Sequence, residues 1–169
     1  MSLQDFCIAP GTGGVTAVQD VITWTYSSGA PKAPVTYSTT SLPATTSGPT
    51  VTPFTYSGFP DGTGMLFNAT GVGNSVTFTV NVAQRGIYDV AYTTEKDSNR
   101  GYLQFSINGT NVGPLSGQYT TAPAFARSDL GNFNFAAAGT YSLTFTVQGR
   151  NGSSSAYTLA FDDIILTPQ

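Results

Sequence analysis

The chain contains no histidine and one cysteine, Cys7. Lacking histidine, it can build no Ser-His-Asp or Cys-His nucleophilic arrangement and no histidine-bearing zinc site. With one cysteine it can form no intramolecular disulfide, and Cys7 reads as an incidental thiol near a terminus. Charge is scarce as well: 9% of residues are charged, against roughly 25% in ordinary soluble proteins. The net charge is −3 and the six basic residues are scattered. No basic stripe can therefore displace counterions from phosphates, which argues against nucleic acid and against anionic membrane surfaces. No apolar run approaches the ~18 residues of a membrane span. The glycines fall into no Walker or dinucleotide pattern. Met1-Ser2-Leu3 leads straight into polar sequence, so no secretory signal is read there. Residues 1–14 are expected to be a cloning remnant or linker ahead of a domain excised from a longer protein.

What remains is apolar and neutral polar. Hydrophobic residues make up 40% of the chain, enough for a real core. Solubility then rests on Thr, Ser, Asn, Gln and Gly, a surface typical of secreted or cell-surface binding domains, and Thr is well suited to strands. Residues 15–169 fit one domain. Its first part, 15–60, is rich in turn formers, with Pro31, Pro34, Pro43, Pro49 and Pro53 excluding helix and interior strand. Strand candidates there are Val21 to Tyr26, the region of Tyr37, and Phe54 to Tyr56.

Residues 61–168 are strand-rich. Val76, Phe78, Val80 and Val82 alternate with Thr77, Thr79 and Asn81. Leu103, Phe105 and Ile107 alternate with Tyr102, Gln104 and Ser106 before Asn108-Gly109, a strong hairpin signal. Tyr141, Leu143, Phe145 and Val147 alternate with Ser142, Thr144, Thr146 and Gln148, and Tyr157 to Thr167 closes the chain. Period-two alternation places one face on a core and the other in water. Eight to ten such strands, by this count, with regular turns predict an all-β jelly roll or sandwich of two antiparallel sheets.

An ordered set of motifs runs through 66–167: Gly71-Val72-Gly73-Asn74-Ser75-Val76, Arg85-Gly86-Ile87-Tyr88-Asp89-Val90, Ile107-Asn108-Gly109, Gly139-Thr140-Tyr141-Ser142-Leu143 and Phe161-Asp162-Asp163-Ile164-Ile165-Leu166. In this order the chain resembles the galactose-binding-like β-sandwich carbohydrate-binding modules of families 6, 35 and 36, as appended to secreted bacterial polysaccharide-degrading enzymes. The resemblance implies a non-catalytic, lectin-like module that binds a polysaccharide or oligosaccharide outside the cell beside a fused catalytic domain. It also leaves a structural calcium open, with Asp162 as a C-terminal ligand. Two positions depart from the pattern. Val21 to Tyr26 has no acid where those modules carry glutamates, and Ala160 stands where an Asn often precedes the last motif.

A sugar site needs an aromatic plane for the C–H face of a pyranose and a few polar groups for its hydroxyls. The densest polar loop, Glu95-Lys96-Asp97-Ser98-Asn99-Arg100, nominates Asp97, Asn99 and Arg100; the bland reading is a solvated hairpin tip. Tyr119, in an apparently irregular stretch with Phe125 close behind, is a candidate platform. Asn151 or Arg150, in the loop Gln148 to Ser155, is a further polar candidate, and Trp24, the only tryptophan, a further aromatic one. Glu95, Asp97, Asp162 and Asp163 would be the acids for a carboxylate-pair hydrolase, though on so small a sandwich acids more often cap turns. The competing reading is a structural or adhesive domain of a surface or fibre protein.

Overall fold

The computed structural model describes residues 32–169. Cys7, Trp24 and the strand expected at Val21 to Tyr26 lie outside the described residues. The strands are β1 (Val35–Ser38), β2 (Ala44–Ser47), β3 (Val51–Thr55), β4 (Thr63–Phe67), β5 (Ser75–Val82), β6 (Gly86–Lys96), β7 (Gly101–Ile107), β8 (Thr110–Asn111), β9 (Ser116–Gly117), β10 (Ala124–Phe135), β11 (Gly139–Arg150) and β12 (Leu159–Pro168). A single 3-10 turn, Thr39–Ser41, follows β1. Two antiparallel sheets result. The first runs β10-β6-β12-β4-β3, with β1 also paired to β12; the second runs β2-β5-β11-β7-β8, with β9 also paired to β7.

The alternation read from the sequence sorts side chains as expected. Val76, Phe78, Val80 and Val82 of β5, Leu103, Phe105 and Ile107 of β7, and Leu143, Phe145 and Val147 of β11 are all buried, as are Tyr88, Val90 and Tyr92 of β6 and Phe161, Ile164 and Leu166 of β12. Phe145 stands at the centre, its ring centroid 4.4 Å from Phe161, 4.9 Å from Phe105, 5.3 Å from Tyr92 and 5.9 Å from Phe78. One ring therefore ties both sheets together, and aromatic pairs at this spacing add to plain burial.

Turn chemistry also behaves as the residues demand. Asn108 (φ 46°) and Gly109 (φ 80°) are both left-handed, the backbone of a two-residue hairpin that joins Ile107 to Thr110 in register. Pro53 sits in β3, an edge strand, where its missing N–H leaves no ladder bond unmade.

One stretch differs from expectation. Residues 124–132, to which the sequence pattern assigns no strand, form the first part of the twelve-residue β10. The strand lies at the edge of its sheet and carries Arg127, Ser128, Asp129 and Asn132. Its outward residues face water on a strand with one free side, so it has no need of an alternating apolar code, and charge there blunts edge pairing. A bulge between Asp129 and Gly131 interrupts its register.

Candidate functional site at one end of the sandwich

Three loops meet at one end of the sandwich. Residues 97–100 connect β6 to β7, residues 118–123 connect β9 to β10, and residues 151–158 connect β11 to β12. Main-chain bonds lock them together. Asp97 N–H donates to Gln118 O (3.1 Å) and Thr120 N–H to Asp97 O (3.2 Å), while Ser155 N–H donates to Ser98 O (3.0 Å) and Thr158 N–H to Asn99 O (3.2 Å). Isolated bridges pair Asp97 with Tyr119 and Arg100 with Thr158.

Arg100 is the brace of this end. It is 2% exposed, and its guanidinium forms an ion pair with Glu95, also 2% exposed. Nε donates to Glu95 Oε2 (2.7 Å), and Nη1 donates to Asn99 Oδ1 (2.8 Å) and Thr158 Oγ1 (2.6 Å). The same group lies 5.5 Å from the centroid of Phe54. Phe54, Tyr56, Phe59 and Phe125 pack edge to face beside it, and Phe125 is the cross-strand neighbour of Glu95. This aromatic group shields an ion pair that stands on the outer face of the first sheet. Burial pushes the Glu95 carboxyl above its ordinary pKa, with Arg100 pulling the other way. The expectation that Arg100 meets a ligand is thereby corrected. Its donors are committed inside the protein and it holds the loops instead.

The other nominated residues fall into two groups. Asp97, Asn99 and Tyr119 are brought together, each half-buried at the loop end. Asp97 Oδ1 accepts from Ser98 N–H (2.6 Å), and Asn99 spends its Oδ1 on Arg100, while its amide N–H₂ has no protein acceptor among the described residues. The Tyr119 hydroxyl likewise meets no protein partner among them. Asn151 lies in the adjoining loop with its Oδ1 accepting from Ser153 N–H (2.9 Å), so its side chain shapes a turn.

Asp162 is elsewhere, on the outer face of the first sheet, 1% exposed. It accepts from Thr93 Oγ1 (3.2 Å), while the Thr39 hydroxyl donates to its main-chain oxygen (2.7 Å). Burial, with Asp163 adding repulsion, raises its pKa to about 6. A calcium cage takes about six to eight oxygens. Among the described residues no three acidic, histidine or cysteine side chains converge.

Sequence reasoning missed Gln118 and Ser154, and offered Arg150 only as an alternative to Asn151. Gln118 is buried, accepting from Thr94 Oγ1 (2.8 Å) and donating to Ser116 Oγ (2.8 Å). Ser154 is buried and donates to Arg100 O (2.9 Å). Arg150 stacks 5.0 Å from the centroid of Tyr157 and donates to Ser154 O. The Thr94–Gln118 and Ser154–Arg100 pairs join segments distant in sequence, which no local pattern encodes. Among the described residues no helix is long and apolar enough to cross a membrane.

No protein-family model matches the chain, and no curated protein does. Solved structures do. A 32% identical segment of a Paenibacillus xanthan lyase superposes over 79% of this chain with a TM-score of 0.73, and this chain spans only 13% of that enzyme. The CBM36-1 domain of a multidomain xylanase from the hindgut metagenome of Trinervitermes trinervoides is 16% identical, covers 81% of this chain and 98% of its own length, and has a TM-score of 0.56. A family 35 carbohydrate-binding module from Clostridium thermocellum is 16% identical, covers 82% of this chain and all 100% of its own, and has a TM-score of 0.54. The fold is that of the carbohydrate-binding modules. The latter two neighbours are matched over nearly their whole length, so the module fold accounts for the described sandwich.

Proposed function

We propose that this module is a non-catalytic carbohydrate-binding module of an extracellular, polysaccharide-degrading protein, and that its sugar site is the braced loop end. The observation that carries the reading is the joining of Asp97, Asn99 and Tyr119 around loops fixed by Arg100. A phenol ring offers a plane to the C–H face of a pyranose, while a carboxylate and an amide N–H₂ bind its hydroxyls. Loops locked before binding lose little freedom on binding. The 32% identity to a segment of a xanthan lyase makes xanthan the first polymer to test.

Hydrolysis finds little support. Glu95 and Asp162 are 2% and 1% exposed, and a carboxylate-pair mechanism needs both acids flanking an accessible bond. The module's contribution is to hold a fused catalytic domain on its polymer, raising effective concentration. Affinity electrophoresis tests this directly. In gels containing xanthan or a panel of plant, algal and bacterial glycans, the module is retarded by at least one polymer, and Tyr119→Ala weakens that retardation about tenfold. Unretarded migration in every polymer contradicts the proposal.

A further inference from the structure

The tyrosines of the described chain divide in two. Tyr37, Tyr88 and Tyr141 each donate their hydroxyl to a main-chain carbonyl, at 2.8 Å to Asn81, 2.8 Å to Gln84 and 2.9 Å to Ala137. Tyr102 has no such tether among the described residues, and its surroundings are unusual. It points outward from β7 on the second sheet, since its neighbour Leu103 is buried in the core. Its cross-strand partners are both glycine: Gly117 on β9 and Gly149 on β11. A Cβ at Gly117 would meet Tyr102 Cε1 at 3.2 Å and Cδ1 at 3.4 Å, and a Cβ at Gly149 would meet Cδ2 at 3.3 Å. Opposite edges of one ring thus reach both flanking strands. The ring sits between two positions that have no side chain to crowd it.

The ground around it is neutral. Gln104 stands beside Tyr102 on β7, Thr146 opposite Gln104 on β11, and Ser75 opposite Thr146 on β5. Arg150, the last residue of β11, is the one charged residue on any strand of this sheet. The ring also adjoins the loop end. Gly117 runs directly into Gln118 and Tyr119, and Gln118 N–H donates to Gly101 O (3.1 Å) next to Tyr102.

We infer that Tyr102 is a second sugar platform, which extends the loop-end site onto the outer face of the second sheet and takes an uncharged pyranose of a polysaccharide main chain. The inference rests on the proposed glycan-binding function. A flat ring with free hydroxyl suits the apolar face of a sugar, and amide and hydroxyl neighbours suit its equatorial hydroxyls. A nucleobase would also stack, but the strands around the ring supply no row of cations for its phosphates. The rival explanation is structural, since aromatic rings stabilise glycines in strands simply by covering them.

The two explanations part on shape. Tyr102→Leu keeps an apolar cover over the glycines but has no plane, whereas Tyr102→Phe and Tyr102→Trp keep one. With soluble xanthan as the probe, calorimetric titration and thermal unfolding are run on each variant. The platform requires Tyr102→Leu to bind about tenfold more weakly at an unchanged midpoint, with the Phe and Trp variants close to the parent. A Leu variant that binds like the parent overturns the platform while leaving the loop-end site intact. If the Leu variant does not fold, loss of binding in a folded Trp or Phe variant overturns it. A parent protein that binds no xanthan and no other polymer of the panel overturns the glycan-binding function and the platform together.

Discussion

The outer faces of the two sheets are built on opposite principles. That of the first sheet carries Glu95, Thr93 and Ala91 on β6 and Asp162 on β12, all buried, although a sheet's outer face normally meets water. It is roofed by the 3-10 turn through Thr39 and by the aromatic group around Phe59, and its polar groups are consumed internally. Among the described residues, that of the second sheet has no comparable roof. Thr45, Thr77, Thr144, Ser106 and Asn111 form one uncharged row across five strands; Thr45 and Asn111 are exposed, Thr77 and Thr144 are half-buried and share a hydrogen bond of 2.8 Å, and Ser106 is buried. Charge thus serves architecture in the first sheet, while the second presents neutral hydroxyls and Tyr102, the surface on which the proposed platform rests.

The largest effect expected from breaking this contrast lies in the roofed ion pair. Arg100→Met strands the Glu95 carboxylate in a buried site, a cost of about 3–5 kcal/mol, read from urea unfolding. Adding Glu95→Gln to that variant recovers much of the loss, because the isolated charge is gone. A single variant within ~1 kcal/mol of the parent would mean that the roof admits water.

A smaller effect comes from Asp162. Its folded pKa of about 6 exceeds the ~3.9 of an unfolded Asp. Between those values the folded state holds a proton that the unfolded chain has released. Stability therefore falls as pH rises from about 4 to about 6 and then levels, and burial raises Asp163 in the same direction. Asp162→Asn, whose amide oxygen can still accept from Thr93, flattens that slope and gains on the order of 2 kcal/mol at pH 7. Unfolding midpoints across pH 4–8 check it; an unchanged slope would place the titration elsewhere.

The smallest effect is expected on the open face. A double-mutant cycle over Thr77→Val and Thr144→Val gives a coupling of about 0.2–1 kcal/mol. A coupling of several kcal/mol would show that this face, too, holds the fold together.

The strands of the second sheet were the most legible part of the chain. In β5, β7 and β11 every second residue is large and apolar, and the period alone sorts inside from outside. The first sheet was harder to read because β6 is buried on both faces and β10 lies at an edge, so neither follows a clean two-residue period. At the loop end, the sequence disclosed the charged cluster around Asp97 but not what each member does. Glu95 and Arg100 are five residues apart and look like a solvated tip, yet they are buried because Phe54, some forty residues upstream, comes to lie over them. Tyr102 escaped notice for a related reason: its two glycine neighbours, Gly117 and Gly149, meet it only through strand pairing.

The most direct test is a map of where a sugar touches the molecule. Backbone amide shifts of the ¹⁵N-labelled protein, titrated with oligosaccharides released from the polymer that retards it, should move in residues 97–101 and 117–121 and around Tyr102, with the first sheet's outer face still. Shifts confined to Phe125, Arg127 and Asp129 on that first face, or no shifts at saturating sugar, would contradict the account.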